Sequence, residues 1–191
     1  MSTRPSKLSE ALTRVDIERE AGLIELERLA TGGSALAMMY IGHIFRSGQY
    51  DAPVDKNAGK EWLRKSAEAG SIEGAFRYAH VLCADDQSEL AMSVLQLLSS
   101  RGYSPASFVL GLAHYRAWDI PQDVETALRY FALASRQRHL LGYQWQSSIY
   151  FLHRKSIIKW AAGVVIRLRI ALPLMYYFVK RPLSDRVRTG V

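Results

Sequence analysis

Apolar positions recur at helical spacing from about residue 8 to residue 160. In one such stretch Leu36, Met39, Tyr40 and Ile44 follow one another at intervals of one to four residues, which places them on neighbouring faces of a helix. Prolines are rare in this part of the chain, and no run of alternating β-branched and polar residues is long enough for a strand. The pattern predicts an all-α protein.

The segment from Asp55 to Gly70 occurs twice more in altered form. One copy begins at Gln87, 32 residues further on, and the next begins 36 residues beyond that, at Asp123. The preceding residues match too, and the alignment sets Ala37, Gly42 and Phe45 against Ala75, His80 and Cys83, and then against Ala106, Gly111 and His114. Each unit is predicted to be a helix, a loop, a second helix and a closing glycine or its replacement, and stacked hairpins of this kind form an α-solenoid.

This pattern resembles the Sel1-like repeat, a relative of the tetratricopeptide repeat. The residues that carry the resemblance in the first copy are Ala37, Ile41, Gly42, Phe45 and Gly48, followed by Asp55, Gly59, Trp62, Leu63, Lys65, Ser66, Ala67 and Gly70. The resemblance implies a short α-solenoid of about three helical hairpins. Gly59 and Ser66 depart from it by replacing alanines of the second helix, and His80 departs from it by standing where the family has a packing glycine.

The repeats divide the chain into four predicted parts. Capping helices are predicted over residues 1–32 and repeats over 33–138, with boundaries at 33–70, 71–102 and 103–138. A degenerate first helix is predicted over 139–155, with Gly142 at its small position, and a hydrophobic, basic C-terminal helix forms the tail over 156–191.

The charge distribution changes the interpretation of the tail. The chain of 191 residues is 49% apolar and 23% charged, an ordinary globular balance, with a net charge of +7. Residues 1–135 carry 14 Lys and Arg against 17 Asp and Glu, so the basic excess belongs to the last third.

A single Cys excludes a disulfide framework and fits a reducing compartment, and residues 1–22 contain no apolar core of a signal peptide. A cytoplasmic location is therefore predicted.

No catalytic constellation is present in the sequence. The chain has no nucleophile elbow, metalloprotease helix, P-loop or dinucleotide-binding glycine motif. Cys83 and His114 align with Phe45 on the packed side of a helix, which favours structural roles, and His139 is interpreted as one more positive charge of the basic stretch at low pH. Asp85 and Asp86 are interpreted as an acidic loop. A protein without enzymatic activity, metal or cofactor is predicted.

An interaction module remains as the preferred function. The resemblance implies a protein–protein adaptor or scaffold, which binds through the concave face formed by the first helices. On the side of these helices opposite to Ala37, Ile41 and Phe45, the candidate partner-binding residues are Met39, His43, Arg46, Arg77, Phe108 and Tyr115. An equally open alternative is that these are ordinary solvated or helix-packing residues. A basic nucleic-acid-binding protein is the less favoured function, because the basic residues of the tail are embedded among apolar ones.

The tail has the amphipathic pattern of a helix at a membrane surface. Residues 157–179 are long enough to span a bilayer, but two central arginines and a proline oppose a span. We therefore expect a kinked helix on the cytoplasmic face, with residues 156–181 against anionic headgroups. The candidate membrane-contacting residues are Lys159, Trp160, Arg167, Arg169, Tyr176 and Tyr177. Packing of this helix on the solenoid itself, in a soluble adaptor, is the open alternative.

Cell fractionation tests the prediction for the tail. Because basic residues interrupt the apolar stretch, we expect the full chain to sediment with membranes and to be released by high salt or alkaline carbonate. Release by detergent alone would instead indicate a span. A chain that stays wholly in the soluble fraction would contradict membrane attachment and favour the packed alternative.

Overall fold

The structure, a computed structural model, describes residues 6–17, 19–152, 161–169, 171 and 175. Within these residues it contains helices and no strand, so the all-α prediction is confirmed. The helices are α1 (Lys7–Ile17), α2 (Arg19–Thr31), α3 (Ala35–Ser47), α4 (Lys56–Glu68), α5 (Ile72–Ala84), α6 (Ser88–Ser100), α7 (Ser104–Arg116), α8 (Val124–Arg136) and α9 (Leu140–Leu152), with a 3-10 turn at Gln49–Asp51.

The chain divides into two compact units, Met1–Gln87 and Ser88–Val191. In the first unit α1 to α5 pack against one another in chain order, and α3 also contacts α5. In the second unit α6 to α9 pack in the same sequential way. The repeat boundaries given above stay predictions, while the helix predicted within 139–155 is present as α9.

Each unit has an apolar core of its own. The core of the first unit is centred on Leu26, Ala30, Ala37 and Ile41, and Trp62 is half-buried against it. In the second unit Phe108, Phe131, Leu140, Leu141 and Ile149 are among the core residues. Buried surface of this kind is the main favourable term that holds helices together.

The second helix of every hairpin ends in the same backbone turn. Positive φ angles occur at Gly33 (90°), Gly70 (89°), Gly102 (87°) and Arg138 (65°). In each case the amide of the next residue donates to a carbonyl five residues before it, as from Ser71 to Ser66 at 3.0 Å. Left-handed backbone at this position is characteristic of glycine. The predicted closing glycines at 70 and 102 are confirmed, and Gly33 and Arg138 extend the pattern to four hairpin ends.

Serine and aspartate caps fix where the helices begin. The side chains of Asp55 and Asp123 accept hydrogen bonds from the backbone amide of the third residue of α4 and of α8, as the sequence predicts for N-caps. Ser34 accepts in the same way from the amide of Ala37. Ser71 accepts from the amide of Gly74.

These caps correct the alignment of α5 by one residue. Since Ser71 occupies the position of Ser34, Gly74 rather than Ala75 corresponds to Ala37, and Ala79 rather than His80 corresponds to Gly42. The residue equivalent to Phe45 is then Leu82, which is buried, and Cys83 is exposed. The expectation that Cys83 lies on the packed side was therefore wrong. The loops of the copies differ in length, which hid this one-residue error in the sequence alignment. An error of one residue rotates a side chain by about 100° around the helix, enough to move Cys83 off the packed side.

Two glycines let α3 and α4 cross at close range. A Cβ at Gly42 would lie 2.9 Å from the carbonyl oxygen of Gly59, and a Cβ at Gly59 would lie 2.8 Å from the carbonyl oxygen of Gly42. The contact is reciprocal, and neither backbone can yield. Gly59 departs from the repeat pattern but is matched to its partner across the crossing.

Replacement of Gly42 by Ala tests this crossing. In an open helix interior the change stabilises by about 1 kcal/mol, but here the added methyl group overlaps fixed backbone, so we expect a loss of about 1–3 kcal/mol. Urea unfolding followed by circular dichroism measures it. Ser93→Ala, at an exposed site of α6, is the control and should change stability by less than about 0.5 kcal/mol. Unchanged or increased stability of Gly42→Ala would contradict the close crossing.

Candidate interaction surface

Two of the predicted partner-binding residues belong to the core. Met39 is 4% exposed and packs with Leu63 and Val81. Phe108 is 1% exposed and lies against Phe131, at a ring distance of 5.7 Å. Both assignments to the binding face were therefore wrong.

The reason is that the first helices are buried on two sides. In the first unit α3 packs against α4 and also against α5, the first helix of the next hairpin. The corrected alignment places Phe76 at the position of Met39, and Phe76 is also 1% exposed. The sequence argument assigned only one packed side to each first helix, and the second becomes visible only when neighbouring hairpins stack.

His43 and Arg77 form the part of the predicted face that remains accessible. Both side chains are partly buried, and Arg77 Nε donates to Glu73 Oε1 at 2.9 Å. Burial lowers the pKa of His43, and the nearby charge of Arg77 lowers it further. His43 and Arg77 therefore lie close enough for the charge of the guanidinium to act on the imidazole.

Two tyrosines extend this accessible region. Tyr40 on α3 and Tyr78 on α5 are partly buried and pack against the cluster of Met39, Leu63 and Val81. We call Tyr40, His43, Arg77 and Tyr78 the first-unit surface. It combines two tyrosine rings and an imidazole with a guanidinium, and tyrosine and arginine are types enriched in protein interfaces. The tyrosines were missed by the sequence argument. In the corrected alignment Tyr40 corresponds to Arg77 and Tyr78 to Ile41, so the two do not recur at one repeat position.

Arg46 belongs to a different group of charges. A Cβ at Gly59 would lie 2.5 Å from its Cγ, so its stem packs on α4. Lys60 Nζ donates to Asp85 Oδ2 at 2.7 Å, and this hydrogen bond is the main cause that lowers the pKa of Asp85, to which the charge of Arg46 contributes. Arg46 therefore lies among the charges that join α4 to the end of α5.

Tyr115 contributes to an aromatic stack in the second unit. Its ring meets Trp145 edge-on at 5.3 Å, and Trp145 stacks on Phe131 at 5.6 Å. The guanidinium of Arg116 lies 5.7 Å from the centre of the Trp145 ring. Trp145 was not identified from the sequence, although the alignment of Gly142 with Gly42 sets it at the position of Phe45.

The tail is described only in part. Residues 161–169 form a helical segment, and the predicted membrane-contacting residues Lys159, Trp160, Tyr176 and Tyr177 lie outside the described residues. Arg167 Nη2 donates to Ser148 Oγ at 3.1 Å, and its guanidinium lies 4.4 Å from the centre of the Phe151 ring.

The same segment contacts α9 through its backbone as well. A Cβ at Gly163 would lie 3.1 Å from the carbonyl oxygen of Ser147. Arg169 and Leu168, by contrast, are exposed. None of the described helices has the length and apolar character required to cross a bilayer.

His139 has a structural role that its sequence position did not indicate. It is fully buried and stacks on Phe108 with a ring distance of 4.6 Å. Its Nδ1 accepts a hydrogen bond of 3.2 Å from the amide of Gly142, so the imidazole acts as the N-cap of α9. The interpretation of His139 as one more charge of the basic stretch missed this buried cap. Across the part of the chain that the structure describes, no group of His, Cys, Asp or Glu could hold a metal ion.

Comparison with known protein families matches two individual hairpins of the chain. The sequence model of the Sel1 repeat matches residues 35–71 and 104–139, which correspond to α3 with α4 and α7 with α8. These two hairpins match the Sel1 repeat. The hairpin between them is not matched, in line with its weaker resemblance to the pattern. A search of curated protein sequences returned no match.

Solved Sel1 repeat structures share the fold. A Sel1 repeat protein from Oxalobacter formigenes superposes with a TM-score of 0.72 at 15% identity, covering 94% of this chain and 82% of that one. A protective antigen present in uropathogenic Escherichia coli strains, which displays an SLR fold, superposes with a TM-score of 0.62 at 19% identity. That match covers 71% of this chain and 30% of the antigen. These matches confirm the α-solenoid class.

Replacement of Arg77 by Gln tests the electrostatics of the first-unit surface. Removal of the positive charge should raise the pKa of His43 towards its ordinary value, but burial, the larger cause, should still keep it below that value. NMR titration of the imidazole signals measures the shift. Arg64→Gln, on the exposed side of α4, is the control and should leave the titration unchanged. A His43 that titrates identically in both variants would contradict the proximity to Arg77.

Proposed function

We propose that this Sel1 repeat protein is a non-enzymatic adaptor that holds a protein or peptide partner against the first-unit surface. Sel1 repeat proteins are typically scaffolds for protein–protein interaction. The observation that carries the assignment to this surface is the grouping of Tyr40, His43, Arg77 and Tyr78 over a buried cluster that holds them in place.

The chemistry of this surface favours a partner segment with acidic and aromatic groups. Arg77 is the charged group of the surface, and its ion pair with Glu73 leaves part of its side chain exposed, at 34%. A carboxylate of a partner can share the guanidinium, while the tyrosine rings supply apolar area with little loss of side-chain entropy. Partly buried arginine and tyrosine side chains commonly contribute most to binding energy.

The contacts of residues 161–169 support an adaptor whose C-terminal segment packs on its own fold. Arg167 donates two of its five N–H groups to serines of α9, and its guanidinium stacks on Phe151, so this side chain is held against the protein's own helix. Gly163 allows the close approach. We therefore favour this alternative over a membrane-lying helix for these residues, and the fractionation experiment distinguishes the two.

Partner capture by matched charge variants tests the adaptor function. We expect Arg77→Glu to reduce the recovery of specific partners about tenfold, because it places a repulsive charge where an attractive one lay. Affinity purification of the full chain followed by quantitative mass spectrometry measures recovery. Arg129→Glu makes the same charge change at an exposed ion pair on α8 and should leave recovery unchanged.

The outcome is interpretable because neither substitution is expected to disturb the core. Circular dichroism of both variants should match that of the unmodified chain. Equal recovery with Arg77→Glu and with Arg129→Glu would contradict the assignment of the binding surface to Tyr40, His43, Arg77 and Tyr78.

A further inference from the structure

A second surface of the first unit has the opposite charge. A cleft of about 280 Å³ lies between α2, α3 and the 3-10 turn that follows α3. We name it the acidic cleft. It is lined by apolar side chains that include Leu23, Ile41 and Phe45, and by the carboxylates of Glu20, Glu27 and Asp51.

The floor of the acidic cleft is apolar and only partly covered. Ile41 is 2% exposed and belongs to the core, while Leu23 and Phe45 pack against that core and remain partly buried. A concave apolar floor of this size accommodates one large side chain of a ligand. The burial of such a side chain would cover surface that the helices of this unit leave in contact with water.

The rim of the acidic cleft is negative. None of the described residues that line it is basic. Neither Glu20 nor Glu27 forms an ion pair with a residue that the structure describes, whereas Glu25 on the same helix pairs with Arg28 at 2.6 Å. Carboxylates beside a low-dielectric floor attract a cationic ligand more strongly than they would in open solvent.

The spacing of the rim indicates the form of the ligand. Glu20 and Glu27 are seven residues apart on α2, about 10 Å along the helix axis at about 1.5 Å per residue. In a polyproline II segment, residues three positions apart lie on the same face and are about 9 Å apart, at about 3.1 Å per residue. Two basic side chains with this spacing would therefore reach the two carboxylates, while an apolar side chain between them points in another direction, over the floor.

We propose that the acidic cleft docks an extended peptide segment of a partner protein in which two Lys or Arg residues, three positions apart, flank a large apolar residue. The site is distinct from the first-unit surface and has the opposite charge preference. An experiment that contradicts binding at the acidic cleft therefore leaves the assignment of the first-unit surface intact, and the reverse also holds.

Peptide binding to the full chain tests the proposal. The probe is a fluorescein-labelled peptide containing Arg-Ala-Leu-Arg, and anisotropy at low salt measures its affinity. We expect saturable binding with a Kd below about 1 mM that weakens as salt is added. Replacement of the leucine of the probe by serine, or of both arginines by glutamate, should abolish binding. Equal binding of either altered peptide would overturn the proposal, as would no binding of the original.

Matched variants of the protein locate the site. Glu20→Gln combined with Glu27→Gln should weaken the probe about fivefold to tenfold, as expected for the loss of two exposed ion pairs. Glu61→Gln combined with Glu68→Gln is the control, because these residues have the same spacing of seven on α4 but pair with Arg64. The control should bind the probe as the unmodified chain does, and so should Arg77→Gln. Equal weakening in the two double variants, or weakening in Arg77→Gln, would overturn the assignment to the cleft.

Discussion

The crossing of α3 and α4 at Gly42 and Gly59 is the constraint on which the first unit depends. Each glycine lacks the side chain that would strike the carbonyl of the other, so the two backbones can lie close together. While one face of α3 lies against α4, its other faces contact α2 and α5. The packing of α3 on both α4 and α5 follows from this crossing, and so does the burial of Met39.

The other hairpins meet the same constraint with different residues. In α7, Gly111 makes room for the ring of Phe131, to which a Cβ would come within 2.7 Å. Gly74 makes room for Ser66, whose hydroxyl donates to the carbonyl of Ala35 at 2.6 Å. The substitutions that depart from the repeat pattern are therefore compensated by a small residue or a hydrogen bond across the contact. This accounts for a fold that is retained although the repeat sequences differ.

Stacking also decides which side chains can serve a partner. The second packed side of the first helices removes Met39 and Phe108 from the surface and leaves His43 and Arg77 at its edge. Between α2 and α3 the same stacking leaves an apolar recess with carboxylates at its rim. The first-unit surface and the acidic cleft therefore differ in charge, and the two binding proposals rest on this difference. A scaffold that holds two chemically different partners needs such a separation of charge.

The sequence by itself determined the all-α class, the hairpin repeat, the caps at Asp55 and Asp123 and the closing glycines at 70 and 102, because each depends on local backbone geometry. It did not reveal the one-residue error in the alignment of α5. The position of the N-cap sets which side chains of a helix share a face, and the resemblance between the copies did not locate that cap. The sequence also could not assign His139 to the cap of α9, or place Arg167 on the serines of that helix. Those contacts join residues whose proximity arises only when helices pack, and the same is true of the acidic cleft, whose lining comes from two helices and a turn.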